Sequence, residues 1–374
     1  MSNQIYVGTR KGIFTIERQP NSSEWKISQV DFLGAPVPML LQDPRDGALY
    51  AALDHEHFGP KLHRSDDGGQ YWEECAVPAY PVEDANDSQS GNEGDAKKAP
   101  SLREIWCLET GGTDEPGLLW AGTIPGGLFR STDRGASWQL IESLWNRPER
   151  EFWFGGGKDE AGIHSICVDP RDSKHITLGI SCGGVWVTRD GGESWSCHAD
   201  GMWAAYLPPE NKNDPNLQDV HRLVNCRSSP DIFWNQHHNG IFRTTDDCGS
   251  WHEIKDVSPS SFGFATAVHP NDPDTGWFVP AVKDECRVPV DAKFVVTRTR
   301  DGGKSFDVLT DGLPQEHAYD IVFRHGLDVD DSGAHLVTGS STGALWISDN
   351  DGDSWNCLST HLPQIYCVRF AHSQ

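Results

Sequence analysis

The chain has 374 residues, of which 37% are hydrophobic and 23% charged, with 15 tryptophans, 38 glycines and a formal net charge of −24. A surface this acidic repels phosphate backbones and anionic lipid, which disfavours nucleic-acid and membrane partners. The aromatic content is too high for a disordered chain, and no apolar run approaches the ~18 residues of a membrane span.

The N-terminal MSNQIYVGTRKGIF enters a strand-like pattern with no apolar signal core, so a cytoplasmic protein is expected. The ten cysteines show no CxxC spacing. Cys107, Cys167 and Cys367 alternate with apolar residues inside strand-like runs, as buried free thiols do. The length suits two or three domains or one large repeat architecture, so repeats are sought first.

In chain order, IYVGT (5–9), GIFTI (12–16) and WKISQ (25–29) read as three strands that lack an innermost partner. PMLLQDPRD (38–46) reads as an innermost strand ending in a turn, and SDDGGQYW (65–72) introduces the pattern Ser/Thr-x-Asp-x-Gly-x-x-Trp/Phe. Residues 81–99, PVEDANDSQSGNEGDAKKA, are polar and aperiodic, and 82–99 are expected to form a mobile surface insertion. The pattern returns as STDRGASW (131–138), TRDGGESW (188–195) and TRDGGKSF (299–306). Two copies are degraded: TTDDCGSW (244–251) puts Cys248 in the Gly slot, and SDNDGDSW (348–355) puts Asn350 in the Asp slot.

These residue types suit a tight turn. The carboxylate and hydroxyl accept backbone N–H groups, Gly tolerates positive φ, and the aromatic ring buries a large apolar face. Further innermost strands are IHSICVDPRD, VHRLVNCRSSP, FATAVHPNDP and YDIVFRHGL. Copies roughly 50 to 65 residues apart fit the blades of a β-propeller. Six units carry the turn, and IYCVRF (365–370) supplies the innermost strand missing at the N-terminus. The expected fold is all-β: a seven-bladed β-propeller of four-stranded antiparallel blades, one domain over 1–374, closed by both termini in one blade.

With these turns the chain resembles the Asp-box, or BNR-repeat, propellers. That grouping includes sialidase-like glycosidases, xyloglucan-cleaving enzymes, sortilin-type receptors and photosystem II assembly factors. The resemblance implies the fold and leaves enzyme and non-enzyme both open. Against true sialidases, the chain has no Arg-Ile-Pro motif. Arg10, Arg103 and Arg287 stand in no matching motif for that family's carboxylate-gripping arginines, and Tyr319 or Tyr366 as nucleophile lacks a Glu partner. Sialidase activity proper is not expected. The paired propellers of the xyloglucan-cleaving enzymes, the receptor's anchor and Cys-rich tail, and the assembly factor's export segment are not expected either.

Propeller sites lie at the channel mouth. Aligning the strands on the DPR-type turn places Pro38, Glu104, His164, His221, Phe264, Asp320 and Tyr366 there, one per blade. The loops between second and third strands bring Arg10, Lys11, Asp54, His55, Glu56, His57, Cys182, His237, His238 and Arg287 to the same end; of the twin histidines, at most one reaches the pocket. Long connections add Trp145, Arg147, Arg150, Trp153, Phe154, Trp203 and Tyr206, which suit a walled pocket for a polar ligand.

Three uses of the ring are open. Glu104, His164 and His221 could bind zinc, iron or manganese, with Asp320 as fourth ligand or base. Glu104 and Asp320 could instead be a catalytic carboxylate pair at a glycosidic bond. The groups could also merely hydrogen-bond around a water-filled channel. The favoured expectation is a hydrolase-like or lyase-like protein acting on a small polar or carbohydrate-derived ligand, metal-assisted or metal-free. Arg10, His55, His57, Arg103, His237, Arg287, Tyr319 and Tyr366 are its candidate substrate-binding residues. The alternative is a non-enzymatic scaffold that holds a protein partner.

Overall fold

The computed structural model describes residues 2–19, 22, 24–81, 100–156 and 158–372, and the insertion expected at 82–99 lies outside them. Seven four-stranded antiparallel sheets follow one another around a central channel. Their innermost strands are Ile365–Phe370, Met39–Gln42, Glu104–Thr110, Ile163–Asp169, Val220–Cys226, Gly263–Val268 and Leu327–Val329, here blades 1 to 7. Blade 1 closes the ring as expected. Ile365–Phe370 pairs antiparallel with Gln4–Thr9, setting Val368 opposite Val7, so neither terminus leaves an open edge. Strand alternation sends the strand-two-to-three hairpins and the blade-to-blade connections to one end, the mouth, and the repeated turns to the other.

Those turns share one set of hydrogen bonds. Thr188 Oγ1 donates to Asp190 Oδ1 at 2.7 Å and accepts the Gly192 N–H at 3.0 Å, while Asp190 Oδ1 accepts the Ser194 N–H at 2.9 Å. The same arrangement recurs at Ser65, Ser131 and Thr299. At Ser348 the Asn350 amide oxygen replaces the carboxylate. Cys248 occupies its Gly slot at φ 63°.

The rings that follow are wedged between sheets: Trp195, Trp251 and Trp355 are buried. An aromatic side chain removes ~200 Å² from water, about 5 kcal/mol gross at ~25 cal/mol/Å², against about 1 kcal/mol net per hydrogen bond. The hydrogen bonds shape the turn, and the ring holds it to the next blade.

Glycines on the second strands let neighbouring blades meet. A Cβ at Gly122 of blade 3 would lie 2.5 Å from the Ile163 carbonyl of blade 4, and one at Gly8 2.7 Å from the Val37 carbonyl. At the end opposite the mouth, the channel widens into a cavity of about 430 Å³ whose lining includes Arg222 and Arg369.

Candidate functional site

Near its mouth end, each of four innermost strands carries one residue more than its partner. The pairing slips between Ile105 and Cys107, between Ile163 and Ser165, and between Val220 and Arg222; opposite Gly8 and Thr9 it slips between Ile365 and Cys367. The bulged residues are therefore Trp106, His164, His221 and Tyr366. A fifth slip falls between Gly263 and Thr266, around Phe264. A bulge re-aims a side chain, and here it turns these residues toward one another across blades. The Trp106 and His164 rings lie 5.2 Å apart edge to face, and His221 stacks on Phe264 at 4.4 Å.

This register corrects the expected ring in blade 3. Trp106, not Glu104, is the counterpart of His164 and His221. Glu104 opens its strand at the rim, where its Oε2 accepts a hydrogen bond from Lys158 Nζ at 2.8 Å. Pro38 precedes its strand, Met39–Gln42.

Blade 7 departs further. Its innermost strand is only Leu327–Val329, and residues 321–326 run irregularly into the channel. Asp320 consequently stays at the rim, where its Oδ1 accepts from Ser340 Oγ at 2.6 Å and from the Thr342 hydroxyl. What the segment delivers instead is Arg324 and His325. His325 Nε2–H donates to the His164 carbonyl at 2.9 Å. The Arg324 guanidinium lies 4.7 Å from the Trp106 ring and 5.5 Å from the Phe264 ring, and only 9% of the residue is exposed. Burial lowers its pKa to about 10, with Asp219 opposing, so it stays charged at neutral pH. It has no hydrogen bond or ion pair among the described residues.

The ligand-type side chains that converge are not the expected trio. His164 is enclosed: Nε2–H donates to the Val220 carbonyl at 2.7 Å and Nδ1 meets Ser165 Oγ at 3.0 Å. Burial depresses its pKa well below the usual histidine value. Among the described residues, the group whose ligand atoms all lie within 4.8 Å is Asp219, His221 and His238. Asp219 Oδ2 is 3.3 Å from both His221 Nε2 and His238 Nδ1, while its Oδ1 meets the Cys182 N–H at 3.3 Å. Burial would raise the Asp219 carboxyl, but the surrounding His221, His238 and Arg324 together hold the pKa well below the ordinary value. Burial lowers His221 against the pull of Asp219. Tyr206 packs on His238 at 4.9 Å and on Phe154 at 6.3 Å, forming one wall.

The remaining candidates divide. Arg287 lies over the Phe264 ring at 5.2 Å and pairs with Asp284. Half-buried Tyr366, its phenol raised by burial, lies within electrostatic reach of Arg10 and Glu104. Tyr319 is exposed at the rim. Arg103 reaches outward to Glu160 at 2.7 Å. His55 precedes and His57 lies within a single short helical turn, Glu56–Phe58, in blade 2. Of the twin histidines it is His238 that joins the cluster. His237 turns into its own blade against Phe242, and burial lowers it to about 3. Trp145, Trp153 and Trp203 are spent on packing with Arg150, Trp186 and Lys212 respectively.

No protein-family model matches the chain. A probable oligoxyloglucan-reducing end-specific xyloglucanase of Neosartorya fischeri is 24% identical over 276 residues, 67% of this chain and 31% of that protein, so the chain spans about a third of this curated relative. Among solved structures, a GH74 xyloglucanase from Xanthomonas campestris superposes with a TM-score of 0.65 at 17% identity, over 96% of this chain and 53% of that one. YCF48 bound to D1 peptide superposes with a TM-score of 0.52 at 14% identity, over 94% and 88% respectively. At these identities the likeness establishes the propeller fold.

Proposed function

We propose that the channel mouth binds a carbohydrate-derived ligand carrying an anionic group, and that the protein is hydrolase-like or lyase-like toward it. Arg324 carries this reading. Burying a charge that has no hydrogen-bond or ion-pair partner costs several kcal/mol, which its two ring contacts, each worth ~2 kcal/mol or more when desolvated, offset only in part. A guanidinium held this way is poised for a planar anion such as a uronate carboxylate, which it grips with two parallel hydrogen bonds. Arg287, also over the Phe264 ring, supplies a second cation, and Tyr206 and Phe154 supply faces on which a sugar ring stacks.

Glu104 and Asp320, on blades 3 and 7, take the roles of acid and base at the rim. Each is oriented by its own partners, Lys158 for one and Ser340 with Thr342 for the other. The similarity to proteins named for xyloglucan cleavage supports a carbohydrate over other polar ligands.

The test is a matched panel of neutral and uronate-bearing oligosaccharides, scored for new reducing or unsaturated ends. Cleavage or binding confined to the anionic set is expected. Equal indifference to both sets contradicts the proposal. A second reading has its own observation: Leu33, Phe58, Phe152 and Tyr319 are 80%, 82%, 65% and 59% exposed on mouth-side segments. Such a rim suits a protein partner. Stable capture of a protein that survives Arg324 substitution would favour it.

A further inference from the structure

We infer that Asp219, His221 and His238 form a binding site for one divalent cation of the zinc class. His221 decides the matter through its hydrogen bonds. Its Nδ1 lies 2.7 Å from the Gly263 carbonyl oxygen, which only accepts, so Nδ1 carries the hydrogen. In the neutral ring Nε2 is then a bare lone pair, and it faces the Asp219 Oδ2 lone pairs at 3.3 Å. Two acceptors do not hold that position unaided; a second proton or a cation must sit between them. His238 Nδ1 approaches the same oxygen at the same 3.3 Å from another element, so the three ligand atoms lie within 4.8 Å of one another.

A metal-bound histidine characteristically donates its other ring N–H to a carbonyl or carboxylate, which fixes its tautomer, and the Gly263 carbonyl does this here. The surroundings add a soft neighbour. A Cβ at Gly156 would meet Asp219 Oδ2 at 2.9 Å and Cys182 Sγ at 3.0 Å, so the thiol lies beside the carboxylate under a backbone that only glycine allows. Two imidazoles and one carboxylate next to a thiol select zinc over magnesium or calcium, which take oxygen donors.

Asp219 and His221 are nearly closed to solvent, whereas the His238 side chain is 23% exposed, so entry is past His238. An ion there would polarise a ligand oxygen or acidify a bound water. That role rests on the proposed reading of the mouth as a ligand site, but the existence of the site does not.

The experiment uses the full chain, stripped with chelator and titrated with Zn²⁺ and then with Co²⁺ as a spectroscopic probe. One equivalent is expected, with a visible cobalt band. His238→Gln, at the partly exposed ligand, should weaken uptake at least ~10-fold with unchanged circular dichroism. His252→Gln, an exposed histidine of the same blade, should leave uptake intact. Folded, metal-free protein that takes up neither ion, with both His221 ring nitrogens protonated by ¹⁵N NMR, overturns the inference in favour of an imidazolium–carboxylate pair. Equal uptake by His238→Gln overturns the assigned ligands. Zinc uptake without oligosaccharide binding would sink the ligand reading alone; oligosaccharide binding without zinc would sink the metal site alone.

Discussion

The Arg324 guanidinium and the Trp106 ring stand 4.7 Å apart although they come from blades 7 and 3, on opposite sides of the channel. The contact exists because blade 7 gives up the start of its innermost strand and blade 3 bulges. Together they bring the two side chains into the channel beneath its mouth, while the cavity of about 430 Å³ lies at the far end.

Close approach between blades at second-strand glycines gives the first prediction. At Gly122 any side chain meets the Ile163 carbonyl, a backbone atom fixed in the next sheet. Gly122→Val should cost ~3 kcal/mol or more, or prevent folding altogether. Chemical denaturation beside Gly276→Ala, a second-strand glycine without positive φ where a Cβ meets its nearest neighbour at an ordinary 3.4 Å, measures it. Equal loss at the two positions would show that packing between blades is not the cause.

The turn hydroxyl gives the second. Thr188 is buried, and its Oγ1 bridges Asp190 and the Gly192 N–H. Thr188→Val keeps the shape and strands the buried Gly192 N–H, so about 1–3 kcal/mol should be lost. Urea midpoints at constant slope would record it. A neutral result would mean that water replaces the hydroxyl and that the Trp wedge alone holds the turn.

Acid stability should depend on Asp169. Burial alone would raise its carboxyl, but hydrogen bonds from the Arg171 side chain and backbone hold it below the ordinary value. A carboxyl depressed in the folded state stabilises above its unfolded pKa of ~3.9. That contribution is lost as pH falls through the lower folded value. Asp169→Asn should therefore lower Tm at neutral pH and flatten the fall of Tm below about pH 4. Parallel Tm curves for the two proteins across the acid range would contradict the assignment.

For the proposed chemistry, Glu104→Gln and Asp320→Asn should each cut kcat by about 10²–10⁴ while ligand affinity changes little. Loss of affinity with kcat intact would move both residues from chemistry to binding.

How much of this was legible in the sequence follows from where the repeat is regular. The six turns are local hydrogen-bonded units with fixed residue types, so they declare blade number and spacing directly. Closure followed because the N-terminal strands lacked an innermost partner and the C-terminus had one to give. His164 and His221 were aligned with each other from the turns that end their strands, and the register slips at both positions in IHSI and VHRL keep them equivalent. Glu104 was misplaced by two positions because blade 3 ends in ETGGTDEP, with no DPR-type turn to anchor the alignment. Arg324 escaped because its segment reads as a strand, YDIVFRHGL, yet is not one. Asp219 escaped because it lies just outside its strand, where no periodicity marks it.

The central claim, that Arg324 is held for a ligand, is met most directly by one paired measurement on Arg324→Met: thermal stability of the free protein and affinity for the oligosaccharide that binds best. An unpartnered buried charge should cost more than its two ring contacts return, so Tm should hold or rise while affinity falls at least ~10-fold. If Tm drops and affinity is unchanged, Arg324 is a structural plug, and the mouth is not the anion site described.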